Sequence, residues 1–253
     1  MQRLNHGYRV LATGFCFVCF GFGGLLLSLL VFPLQRLLVT DLQRRKALAR
    51  RTVHHTFAVF IALMRSVGVF NFDLTAGAKL KAARGKIIIA NHPSLIDVVA
   101  LIAMTPNADC VVKAQLFRNP FMRGVILSTG YISNSDPDQL LDDCAASLAD
   151  GNNLIIFPEG TRTVPGKSVQ FQRGAANIAL RSGCDYLALK ISCLPSTLTK
   201  QEHWYNVPAT KPTLAIHYLQ EIAIKAYCEQ PSPSLAARQL TRDLQHFYQQ
   251  EMK

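Results

Sequence analysis

His92 and Asp97 stand five positions apart, directly after the apolar run Ile87 to Ala90. Imidazole changes charge near neutrality, and a carboxylate that can reach its ring fixes the tautomer, so the pair has the makings of a general base. The structural alternative is a loop-capping histidine beside a first-turn charge. A second stretch repeats the design: Leu154-Ile155-Ile156-Phe157 breaks at Pro158 into a polar loop bearing Glu159, Gly160, Thr161 and Arg162. Both runs are short, apolar and rich in β-branched residues, which reads as buried strands. Two strand ends thus carry polar loops, one with His and Asp, the other with Glu and Arg. Strand ends followed by helix starts are where α/β proteins display their chemistry.

Together the two stretches resemble the glycerolipid acyltransferase family, whose members carry NHxxxxD and, further along, FPEGTR. Here Asn91-His92 through Asp97 matches the first motif and Phe157 to Arg162 the second, with Glu159 67 positions after His92. The resemblance runs from about Ile87 to Ser196. It implies acyl transfer from a thioester to a hydroxyl, with His92 as base, oriented by Asp97. Glu159, Gly160, Thr161 and Arg162 fall in the acceptor-binding motif, where Gly160 lets the backbone approach closely. An internal Glu159–Arg162 ion pair is the structural alternative, and the hydroxyls of Ser94 and Thr161 read as local caps. The acceptor brings the nucleophile in such a reaction, and no Gly-x-Ser-x-Gly elbow is present, which argues against an acyl-serine intermediate.

Three positions depart from the family's pattern. Lys113-Ala114-Gln115-Leu116 resembles the family's Lys-x-Glu-Leu segment, with Gln115 in place of the acid. Lys113 is a candidate substrate contact or an ordinary strand-end cation. Where the family has Gly-x-x-Phe-Ile-x-Arg, this chain has Tyr131-Ile132 and then Asn134 at the arginine's place. Ala188 stands where the family has a proline. The changes at Asn134 and Ala188 argue against the standard lysophosphatidate acceptor without touching the reaction type. The segment Lys190 to Ser196 with Trp204-Tyr205 also resembles acyltransferases found beside bacterial fatty-acid or polyene synthesis enzymes. Expected partners are a membrane lipid and an acyl carrier protein or coenzyme A thioester as co-substrate, with no cofactor and no metal. Ordinary lysophosphatidate acylation and a non-catalytic lipid-binding protein of the same fold are the competing functions.

The elements that must position these residues alternate. Strands are expected at 87–90, 110–113, 129–132, 154–157, 186–193 and 213–218. Helices are expected at 97–104, 114–127 apart from Pro120, 137–148, 171–182 and 235–252. This predicts an α/β domain with a largely parallel sheet flanked by helices. Residues 87–253 would be that domain and 52–86 an interfacial helix and connector. Residues 1–51 would be a membrane anchor with a basic flank.

Val10 to Leu34 holds 25 residues without a charge, between Arg9 and Arg36. That suffices to cross a bilayer, which needs about 20 residues, and exceeds a signal peptide's apolar core. Gly21, Gly23 and Gly24 also permit a bend or a re-entrant path. Of the net +11, residues 1–51 contribute +7, clustered at Arg36, Arg44, Arg45, Lys46, Arg50 and Arg51. This bias places the catalytic domain on the cytoplasmic face of an inner membrane, near anionic headgroups. Nucleic acid is not expected, since the basic excess borders an apolar span and no nucleic-acid motif accompanies it. Seven cysteines without redox or zinc spacing fit a reducing compartment.

Overall fold

The computed structural model describes residues 2–252, and side chains from residue 5 onward. The uncharged N-terminal run is helical. α1 (Gln2–Leu26) widens into a π turn at Leu27–Val31 and resumes as α2 (Phe32–Leu38). Pro33 accounts for the widening, because it has no N–H to donate and its ring crowds the carbonyl four residues back. The Phe32 N–H reaches Leu27 O, five residues back. Asp41 then accepts the Arg44 N–H and starts α3 (Leu42–Ser66), whose buried stripe is Ala49, Val53, Phe57, Ile61 and Met64. α3 begins ten residues before the apolar stretch that announces it, since arginine, lysine and alanine propagate a helix well.

The sheet and its helices follow as β1 (Asn71–Asp73), α4 (Gly77–Ala82), β2 (Ile87–Ala90), α5 (Asp97–Met104) and β3 (Ala108–Val112). A 3₁₀ turn at Ala114–Arg118 leads to α6 (Pro120–Thr129), β4 (Ile132–Ser133), α7 (Pro137–Ala149) and β5 (Asn153–Ile156). The chain closes with α8 (Gly174–Ser182), β6 (Tyr186–Leu194), β7 (Thr213–Ile222), α9 (Lys225–Cys228) and α10 (Pro233–Glu251). The seven strands lie in the order β1-β7-β6-β2-β5-β3-β4, parallel throughout except where β6 meets β7. A mostly parallel sheet needs cover on both faces, and it has it. Along β2 the side chains alternate between two cores. Ile88 and Ala90 join the buried residues of α3, α5 and α6, while Ile87 and Ile89 join those of α8 and α10.

Three local expectations change. The strand expected at 129–132 shrinks to Ile132–Ser133, because α6 runs through Thr129 and ends on Gly130 in the left-handed conformation, φ 72°. Pro120 divides 114–127 into a 3₁₀ turn and a helix that starts on the proline itself, with Asn119 as cap. The stretch read as interfacial helix and connector contributes β1, which pairs with β7 at the sheet edge.

α1 is not a free-standing rod. Ala12 and Cys16, with Leu27 of the π turn, are buried, while Leu11, Phe15, Val18, Phe22 and Leu26, with Leu29 of the π turn, are exposed at helical spacing. Its inner face meets α6 at two small-residue contacts. A Cβ on Gly24 would lie 2.5 Å from Phe121 O, and one on Gly124 would lie 2.3 Å from the Ser28 side chain. α3 is fixed from within by Arg50, which was expected to face headgroups with the rest of the basic flank. Instead its Nη2 donates to Asp109 Oδ2 at 2.8 Å and its Nε to Thr129 O at 3.0 Å, both buried.

Candidate active site

The first motif turns between the end of β2 and the start of α5. Asn91 pins that turn to the neighbouring strand, its Nδ2 donating to Ile191 O at 2.7 Å and its Oδ1 accepting from Ile191 N at 2.8 Å. His92 follows, and its Nδ1 donates to Asp97 Oδ2 at 2.9 Å. The Ser94 N–H donates to the same oxygen at 2.8 Å. A carboxylate can only accept, so the proton sits on Nδ1 and the lone pair on Nε2. Asp97 is fully buried and its Oδ1 has no partner. Burial pushes its carboxyl above the usual carboxylate range, while the His92 and Ser94 bonds pull the other way. Phe157, from the second motif, stacks on the imidazole with ring centres 4.1 Å apart and planes 21° off parallel.

The second motif turns on Gly160, whose φ of 64° favours a residue without a Cβ. Glu159 does not pair with Arg162. Among the described residues no ion pair joins them within 4.0 Å. Its Oε1 accepts from the His92 N–H at 3.2 Å and from Thr163 Oγ1 at 2.5 Å. The Thr163 hydroxyl also accepts from His92 N–H at 2.9 Å, and the Thr163 N–H donates to His92 O at 2.7 Å. Glu159 and Thr163 therefore grip the backbone of His92 from the far side. Burial raises the Glu159 carboxyl as well, opposed by its bonds from Thr163 and His92.

His92 lines a cavity of about 690 Å³ together with Lys113, Asn134, Gly160, Thr161 and Arg162. Asp97 and Glu159 stand behind this wall and act on His92. Asn134 is tied down, its Oδ1 accepting from the Ala114 N–H at 3.0 Å. Ser94 is less a helix cap than a strut, since its hydroxyl donates to Thr197 O at 3.0 Å. The deep lining is apolar and includes Phe17 and Phe20 of α1 and Phe57, Phe60 and Met64 of α3. Sequence reasoning did not place these helices at the site, nor Thr163, Phe157 as a stacking partner, or the segment after β6. Thr163 follows the second motif by one residue, which is its only local signal.

Fold and site together define an α/β domain that presents a carboxylate-held imidazole to a largely apolar cavity. The chain belongs to the Acyltransferase family, whose model matches residues 71–197, half of the chain. A 1-acyl-sn-glycerol-3-phosphate acyltransferase of Helicobacter pylori is 38% identical over 101 residues, covering 37% of this chain and 43% of that protein. The human 1-acyl-sn-glycerol-3-phosphate acyltransferase beta is 23% identical over 172 residues, covering 65% of this chain and 60% of that one. The matched segments thus span about half the length of these relatives. Among solved structures, the 1-acyl-sn-glycerophosphate (LPA) acyltransferase PlsC from Thermotoga maritima aligns with a TM-score of 0.68 at 19% identity, over 100% of this chain and 98% of that one. That likeness establishes the shared fold.

Proposed function

We propose that this protein is a membrane-associated acyltransferase that moves a fatty acyl group from an acyl carrier protein or coenzyme A thioester to a hydroxyl of a lipid-like acceptor. The observation that carries the reading is the 2.9 Å bond between His92 Nδ1 and Asp97, which leaves Nε2 as the basic nitrogen beside an apolar cavity. The acceptor oxygen attacks the thioester carbonyl carbon as its proton passes to Nε2. Asp97 stabilises the resulting imidazolium. The Thr161 and Arg162 amides make no internal hydrogen bond among the described residues, and we assign them to the oxyanion. When the tetrahedral intermediate collapses, the C–S bond breaks and the thiolate takes the proton back from the imidazolium. The phenylalanine-lined depth of the cavity suits an acyl chain.

Membrane attachment rests on the stretch Asn5–Leu38 and its exposed apolar stripe. Arg44, Arg45 and Lys46 beside it favour the cytoplasmic face of an inner membrane. Asn134 is a neutral side chain already committed to Ala114, so the acceptor's polar part is neutral or carries its phosphate elsewhere. Ordinary lysophosphatidate acylation is the second reading, favoured by three cations, Lys113, Arg162 and Lys200, on the cavity wall.

The test is to incubate the purified protein in lipid nanodiscs with acyl-carrier-protein or acyl-CoA thioesters and hydroxylated lipids. Free thiol and new ester are then measured by mass spectrometry. The reading expects one ester per thiol released. Thiol release without ester would make the protein a hydrolase, and binding without either would make it a lipid-binding protein.

A further inference from the structure

Both motifs hold a third segment. The Ser94 hydroxyl donates to Thr197 O at 3.0 Å and the Leu95 N–H to Leu198 O at 3.1 Å. From the second motif, Arg162 Nη1 donates to Leu198 O at 2.9 Å and Thr199 O at 2.8 Å. Thr197, Leu198 and Thr199 are buried, and Leu198 adopts φ 55°, a conformation its branched side chain disfavours. Such a backbone persists only where its surroundings over-determine it, and here one carbonyl takes donors from both motifs. Thr199 N–H is closed by Glu202 Oε2 at 3.1 Å. The next residue after Thr199 is Lys200, exposed to solvent and lining the cavity.

The charge on the wall is one-sided. Lys113, Arg162 and Lys200 line the cavity, and among the described residues no Asp or Glu side chain does. Neither lysine pairs with a carboxylate within 4.0 Å among the described residues. A concave site lined by one sign of charge and walled by apolar side chains concentrates the opposite charge.

We propose that Arg162 is a positioning residue for the loop after β6, and that this loop delivers Lys200 to bind a phosphate of one of the two substrates. This rests on the acyl-transfer reading above. The phosphate belongs either to the acceptor or to the pantetheine arm of the donor. Four pairings separate the sources: acyl-CoA or an acyl thioester of phosphate-free pantetheine, each with lysophosphatidate or monoacylglycerol.

Lys200→Ala raises KM about tenfold for whichever substrate carries the recognised phosphate, with the loss in KM and not in kcat. It leaves the phosphate-free counterpart unchanged, and Lys200→Arg restores the affinity. Arg162→Gln raises the same KM, and adding Lys200→Ala to it costs less than twofold more, because the loop has already lost its hold. Unchanged KM in Lys200→Ala for all four pairings would overturn the phosphate site. Additive losses in the double variant would overturn the positioning role. Should Arg162→Gln fail to fold, Lys200→Ala and Lys200→Glu decide alone, the second raising KM further. Absence of any transfer by the wild type would instead reject the underlying activity.

Discussion

Asp97 is buried beside His92 at a cost in stability. Its folded carboxyl titrates above its unfolded value, so the unfolded chain releases the proton first as pH rises. Stability is therefore lost between the unfolded value, about 3.9, and the raised folded one, and the deficit persists above it. Asp97→Asn cannot ionise. Its melting temperature relative to wild type is expected to rise from pH 4 to pH 7, while acyl transfer falls roughly 10²–10⁴-fold as the imidazole loses its orienting charge. Parallel thermal melts and rate assays check this. A melting difference that is flat or reversed with pH contradicts the account of the buried charge. Asn134 makes the second prediction at this scale. Wild type should prefer a neutral acceptor to lysophosphatidate, and Asn134→Arg should shift that preference toward phosphate by roughly tenfold, about 1.4 kcal/mol. Competition between the two acceptors measures it, and efficient wild-type use of lysophosphatidate, unchanged by the substitution, contradicts it. The residues of the two motifs were legible because each motif is continuous in the chain. Thr163 and Phe157 were not read as partners of His92, since that contact joins positions 71 apart for Thr163 and 65 for Phe157.

At the level of elements, α3 is locked to β3 by Arg50 and Asp109, a pair 59 residues apart in sequence. Asp109 also accepts from the Ser147 hydroxyl at 2.7 Å. Breaking a buried pair strands one charge, so Arg50→Met should cost about 3–5 kcal/mol, and the double change Arg50→Met with Asp109→Leu should recover much of it. Chemical unfolding of the detergent-solubilised variants decides. Equal losses in single and double variants would show that packing, not the stranded charge, sets the cost. Neither this pair nor β1 could be read locally. Arg50 looks like one more residue of a basic flank, and β1 is three residues long with its partner at Thr213 to Ala215. Elements marked by a short apolar run or a clear amphipathic pattern, such as β2, α5 and α7, matched their expected bounds closely. Among those that differed, α6, β4 and β1 depend on a proline, a left-handed glycine and a distant strand respectively.

Across the whole molecule, the N-terminal helix is both a span long and apolar enough to cross a membrane and a wall of the cavity. Thr13, Cys16, Phe17 and Phe20 line the space that His92 faces, while the opposite face of the same helix is exposed and apolar. Composition alone foretold the apolar span but not its second role, because a run apolar on every side carries no mark of which face a domain will cover. Removing residues 1–36 is expected to release the protein from membranes or aggregate it and to open the cavity, with transfer falling as acyl-chain contacts vanish. Fractionation and activity of the truncated chain report both effects, and a soluble, fully active product would contradict them. The central claim is that His92 is the base of an acyl transfer, and the most direct measurement compares purified wild type with His92→Ala in lipid, following ester formation from an acyl thioester. The account predicts a loss of at least about 10²-fold, with melting temperature and membrane retention unchanged. Near-normal transfer by His92→Ala would contradict it.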